Sequence, residues 1–168
     1  MKRENKLGYG LARLFLVVVC VMVLTGCTPL SAGFIEAQDG VYVLTIPQKC
    51  ERKIVNVSVA YYSDGSEPNP DLWAASAELD AASNRVVLFQ PNDGYTTEGD
   101  VGGIDFSREL TIGWGEGEDD SPGGVTGILA GLEPGKVLWA SGITSTEKYE
   151  QDTSQAIPGT HRCVIKTG

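Results

Sequence analysis

Lys53-Ile-Val-Asn-Val-Ser-Val-Ala-Tyr-Tyr62 is the stretch on which the fold turns. Val55, Val57, Val59 and Tyr61 fall on one face, with Ile54, Asn56, Ser58, Ala60 and Tyr62 on the other. A period of two marks a strand, because successive side chains point to opposite faces. One apolar face and one mixed face fit an antiparallel sheet with a single side in the core. Asn56-Val57-Ser58 also spells a glycosylation sequon, which on such a strand carries no weight.

Working outward, Val41 to Ile46 is rich in β-branched and aromatic residues and stops at Pro47, a short strand. Ser63 to Pro70 is turn chemistry throughout. Asp71 to Asn84 reads two ways. Its alanines and an Asp71 N-cap suit a helix, whereas the adjoining strand Arg85–Gln90 suits a hairpin with a strand at Leu72–Glu78. The hairpin is the favoured reading. Pro91–Ile104 reads as a long loop, Arg108–Trp114 as a strand, and Gly115–Gly124 as an exposed, mobile loop. Val125–Leu132 and Lys136–Ser141 are apolar segments joined by Glu133-Pro134-Gly135, a tight turn with proline in its second position. Gly142–Gly159 is a polar connection, and His161–Lys166 is the last strand.

Seven or eight short strands with frequent turns predict an all-β fold, an antiparallel β-sandwich of immunoglobulin-like or related type. A small barrel is the alternative, or an α+β fold if residues 71–84 are helical. The spacing of Cys50, Trp73 and Cys163 does not match antibody domains.

The N-terminus has its own logic. Lys2, Arg3, Lys6 and Arg13 against Glu4 make a basic segment, followed by the 11-residue apolar run Leu14–Leu24. That run is well short of the roughly 20 residues a spanning helix needs, and the pattern is that of a secretory signal. Leu24-Thr25-Gly26-Cys27 resembles the bacterial lipobox. The resemblance implies cleavage before Cys27, acylation of Cys27 with palmitate-like chains, and anchoring on the extracytoplasmic face of the cell membrane. Two or three acyl chains give durable binding where one does not. The expected division is a cleaved signal over 1–26, lipidated Cys27 and a flexible tether over 27–40, and one β-rich domain over 41–168.

Removing the signal takes away four bases and one acid, so the net charge passes from −9 to −12. A surface this acidic repels nucleic acid, and nucleic-acid binding is excluded as a function. Of the four cysteines, Cys20 leaves with the signal and Cys27 takes lipid, which leaves Cys50 and Cys163 as a disulfide pair in an oxidising compartment.

Candidate chemistry is thin. The acidic run Glu116-Gly-Glu-Asp-Asp120 offers oxygens for Ca²⁺ but lacks EF-hand spacing, and it reads as a solvated loop. Asp93, Glu98, Asp100 and Asp105 form a second acidic group of the same kind. His161 is the single histidine, with no Gly-x-Ser-x-Gly elbow and no second metal ligand beside it. No cofactor is expected. Trp73, Trp114, Trp139, Tyr61, Tyr62 and Tyr95 could form a stacking platform for sugars, but such residues more often fill the core, as is expected of Trp139. Trp114, ending a strand at a glycine-rich loop, and Tyr95 are the candidate ligand-binding residues.

Cys50 before a valine-rich strand, Leu72-Trp73, and Phe89 to Gly94-Tyr95 together resemble a group of lipid-anchored actinobacterial proteins to which no activity is assigned. The resemblance implies a strand at Leu72–Trp73. The sequence is thus read as a non-catalytic envelope lipoprotein whose loops bind another envelope protein. The alternative is a carbohydrate or cell-wall binding module, and a cell-wall hydrolase ranks behind both.

Overall fold

The computed structural model describes residues 32–64, 69–117, 121–140, 142–153, 156–158 and 163–165. For Lys49, Ser121, Asp152, Thr153 and the last two segments it is the backbone that is described. The molecule is an antiparallel sandwich of two five-stranded sheets, with no closed barrel. The strands are β1 (Phe34–Gln38), β2 (Val41–Thr45), β3 (Ile54–Tyr61), β4 (Trp73–Ser76), β5 (Arg85–Val87), β6 (Thr96–Gly99), β7 (Leu110–Glu116), β8 (Ser121–Gly127), β9 (Lys136–Trp139) and β10 (Gly142–Ser145). A helix, α1 (Thr146–Thr153), and a separate pair, β11 (Ala156–Pro158) with β12 (Cys163–Ile165), complete the chain.

The first sheet runs β10-β9-β1-β2-β5 and the second β6-β4-β3-β7-β8. The chain changes sheets between β2 and β3, β4 and β5, β5 and β6, and β8 and β9. Ile35, Leu44, Val86 and Leu138 from the first sheet meet Val57, Val59, Ile112 and Trp114 from the second, all buried. Each fully buried Ile or Leu contributes roughly 1.5–3 kcal/mol.

The strand reading of Leu72–Glu78 holds as β4, followed by a turn at Leu79–Ala81 rather than a helix. Glu133-Pro134-Gly135 is the expected tight turn: Gly135 has φ +80° and Lys136 N–H donates to Glu133 O at 3.0 Å. The Lys136 ammonium also pairs with the Glu133 carboxylate.

Four expectations are corrected. Pro91–Ile104 is not a loop throughout, because it contains β6, paired with β4. The tether does not extend over 27–40: Phe34–Gln38 is β1, a central strand paired with both β2 and β9. Asp39 and Gly40, at φ +50° and +83°, form the two-residue turn that suits the right-handed twist of a hairpin. Gly115–Gly124 is not a loop throughout, because β7 and β8 pair in continuous register from Leu110↔Gly127 to Glu116↔Ser121. Pro122 is tolerated there because β8 is an edge strand. The polar connection Gly142–Gly159 contains β10, α1 and β11.

A bulge also redraws the faces of β3. The register shifts between Ile54 and Asn56, so Val55 is the extra residue, half-buried, while Ile54 and Val57 are both in the core. One added residue reverses the alternation from that point toward the strand's start.

α1 covers the outer face of the first sheet. It is polar apart from Tyr149, whose ring packs on Phe34 at 4.5 Å and Trp139 at 5.5 Å between centroids. The Tyr149 hydroxyl donates to Ala32 O at 2.7 Å, which holds the segment ahead of β1 to the helix. Val43 and Val137 share that outer face and are buried with it.

Candidate functional site

The two aromatic residues that the sequence singles out are not a binding platform. Trp114 is 2% exposed, and its Nε1 donates to Glu116 Oε1 at 2.8 Å in the interior. The alternation of β7 explains it: Leu110, Ile112 and Trp114 share the inner face, and Glu116 follows on the same side. Tyr95 is half-buried and works as a brace. Its hydroxyl donates to Ile54 O and accepts from Ser83 N at 3.0 Å, and burial raises its pKa above the usual tyrosine value.

The acidic groups do not converge either. Among the described residues no three His, Cys, Asp or Glu side chains come together to hold a metal. Glu116 is fully buried, while Glu118, Asp119 and Asp120 lie outside the described residues. Asp100 accepts from Gly102 N, and Asp105 from the N–H and hydroxyl of Ser107, which hold its carboxyl below the usual range. His161 and the side chain of Cys163 are outside the described residues, as is Cys27.

What the structure does bring together is the outer face of the second sheet. Strand pairing sets three rows of outward residues across it. The first row is Thr96, Ser76, Asn56, Gly115 and Pro122. The second is Glu98, Ala74, Ser58, Gly113 and Gly124. Ala60, Thr111 and Thr126 make the third. Glu98 is the one charged residue in these rows, in a chain that carries −9 overall.

No family model, curated protein or solved structure matches the chain. The face is therefore judged by its own geometry.

Two shallow depressions of about 300 and 240 Å³ lie on it and share Asn56 and Ser58, so they form one groove across the strands. Asp71 and Glu98 stand at the β6 end, Pro122 and Gly123 at the β8 end. Small side chains leave the groove floor flat, and hydroxyls and amides supply neutral donors and acceptors. Its two carboxylates, Asp71 and Glu98, are confined to the β6 end, and the rest of the groove is lined by small neutral residues.

A larger cleft of about 660 Å³ opens between Glu51–Lys53, Glu78–Asp80 and Gly117. Its basic groups are committed within the fold. Lys53 Nζ donates to Leu79 O at 3.0 Å and Asp80 O at 3.3 Å, and the Arg52 guanidinium packs so tightly on Gly117 that a Cβ there would sit 2.5 Å from it. These contacts tie two loops together.

The sequence carried a usable sign of the outer face. Asn56, Ser58 and Ala60 alternate with the core valines of β3, and Gly113 and Gly115 with the core residues of β7. The missing information was which strands pair, since the face exists only once five strands are in register.

Proposed function

We propose that this protein is a lipid-anchored, non-catalytic binding module of the cell envelope that takes its partner on the outer face of the sheet β6-β4-β3-β7-β8. The observation that carries the reading is the groove centred on Asn56 and Ser58, flat and hydrogen-bonding, with its two carboxylates, Asp71 and Glu98, confined to the β6 end. The stretch around Asn56 and Ser58 suits an uncharged partner surface, and Asp71 and Glu98 at the groove's end disfavour an anionic one. The anchor is supported by Leu24-Thr25-Gly26-Cys27 at the end of a short apolar run.

A bridge between Cys50 and Cys163 belongs to the same reading. Cys50 is buried. β11, which pairs with the strand carrying Cys163, lies against the 3₁₀ turn Gln48–Cys50.

Cross-linking on intact cells, with mass spectrometry of the captured species, tests the binding face. Capture is expected to be lost in Ser58→Arg and Ala74→Arg and kept in Glu150→Lys on α1. Capture indifferent to both groove substitutions would discard the assignment. A second reading, an uncharged glycan as the partner, is favoured by the hydroxyls of Ser58, Ser76 and Thr96 along the groove. Retention of the purified protein on insoluble wall glycan, lost in Ser58→Arg, would select it.

A further inference from the structure

Resting on the lipid-anchor reading, we infer that the domain stands end-on at the bilayer, with the end that carries Gly117, Pro122, Gln48 and Lys53 against the headgroups and the groove running parallel to the membrane. The described residues begin at Ala32. Ala32 is fully buried and its carbonyl is held by Tyr149, while Gly33 lies so close to the Trp114 ring that a Cβ would sit 2.4 Å from it. Four residues lie between Cys27 and Ala32, and the five Cα–Cα steps reach at most about 18 Å when extended.

The strands fix which end is held. β1 begins at Phe34, opposite Thr45 and Trp139, and in the second sheet Gly33 is level with Trp114 and Gly123. Gly117 N–H donates to Lys53 O, which places the start of β3 at the same end. Leu110, Tyr61 and the exposed Tyr62 lie at the other end, about 20 Å further along the strands. A tether this short brings the first end to the bilayer and keeps the second away from it.

Charge does not supply the attraction. Lys49, Arg52 and Lys53 are offset by Glu51, Glu78 and Asp80 at this end, where β11 also lies against the Gln48–Cys50 turn, and the β7–β8 connection adds Glu118, Asp119 and Asp120 in sequence. Nor do the two sheet faces favour lying flat. The groove rows hold no basic residue, and α1 is polar. Tether length therefore sets the orientation. The groove crosses the strands in its first two rows, nearest the held end, and would receive a partner extended parallel to the membrane.

The test uses the full lipidated protein in neutral phosphatidylcholine vesicles containing an acceptor-labelled lipid. A fluorescent amino acid is placed by amber suppression at Pro122 or at Tyr62, both exposed. Flotation comes first, and a protein that fails to float with the vesicles overturns the anchor reading and the orientation with it. For protein that floats, energy transfer to lipid is expected to be several-fold greater from position 122 than from 62. Equal transfer, or the reverse order, overturns the orientation alone. Transfer between labelled copies from position 122 in place of transfer to lipid would assign this end to a second copy and also overturn it.

Discussion

The Trp114 indole and the Glu116 carboxylate are joined at 2.8 Å inside the sandwich, two residues apart on one strand and both buried. The same indole lies across Gly123 of β8 and Gly33 ahead of β1, where a Cβ would come within 2.3 and 2.4 Å of its atoms. One side chain thus seats elements of both sheets at the end where the chain enters. The glycines beside it are the space the ring occupies.

Trp114→Phe keeps the aromatic bulk and removes the N–H. The Glu116 carboxylate then loses a donor in a dry site, at a cost of about 1.5–3 kcal/mol. Urea unfolding should show that loss, and Glu116→Gln in the Trp114→Phe background should recover part of it, since a neutral amide is less costly to bury than a carboxylate. A Trp114→Phe midpoint within error of the parent would mean that the bond adds nothing to stability.

Gly33→Ala and Gly123→Ala should each destabilise by about 1–3 kcal/mol through overpacking against the indole. The same changes in a Trp114→Leu background should cost clearly less, because the ring they strike is gone. Equal costs in both backgrounds would place the strain elsewhere.

The repeating chemistry of the strands was legible in sequence, whereas the exceptions to it were not. Alternation found β2, β3 and β7, and turn residues found the Glu133–Lys136 corner. Asp39-Gly40 between two short β-rich segments is itself a hairpin signal, yet small residues around it read as tether. Composition made Ser121–Gly124 look like loop, since nothing local says that a tryptophan on the neighbouring strand requires glycine opposite it. Trp114 reads as exposed in sequence for the same reason: its environment is made by Gly33, far off in the chain, and by Gly123 on the paired strand.

The β3 bulge separates residues that simple alternation would misassign. Ile54→Ala should cost about 2–5 kcal/mol as a core truncation, and Val55→Ala, at a half-buried position, well under half of that. Denaturant midpoints decide it. The reverse order would restore regular alternation and put Val55 in the core.

If Cys50 and Cys163 are bridged, the closed loop spans most of the domain, and chain entropy assigns it on the order of 4–5 kcal/mol. Mass spectrometry of the non-reduced protein should find the two peptides linked, and Cys163→Ser should lower the unfolding midpoint by a corresponding amount. Free thiols at both positions in protein isolated from the envelope would remove the bridge.

Tyr95 links the fold to alkaline pH. Burial raises its pKa above the ordinary 10.0, opposed in part by its hydrogen bond with Ser83, and burial alone raises that of Tyr42. A pKa higher in the folded state means that folded protein holds its proton longer than unfolded protein. The resulting stability is complete below pH 10 and is lost as pH rises from 10 through the folded value. Ionised Tyr95 would also be unable to donate to Ile54 O. Urea midpoints should therefore fall above pH 10 in the parent. Tyr95→Phe should be less stable by about 1 kcal/mol at neutral pH but should lose less on going above pH 10, and Tyr42→Phe should flatten the same limb with a smaller neutral-pH cost. A Tyr95→Phe variant whose alkaline limb runs parallel to the parent's would show that this hydroxyl does not govern the decline.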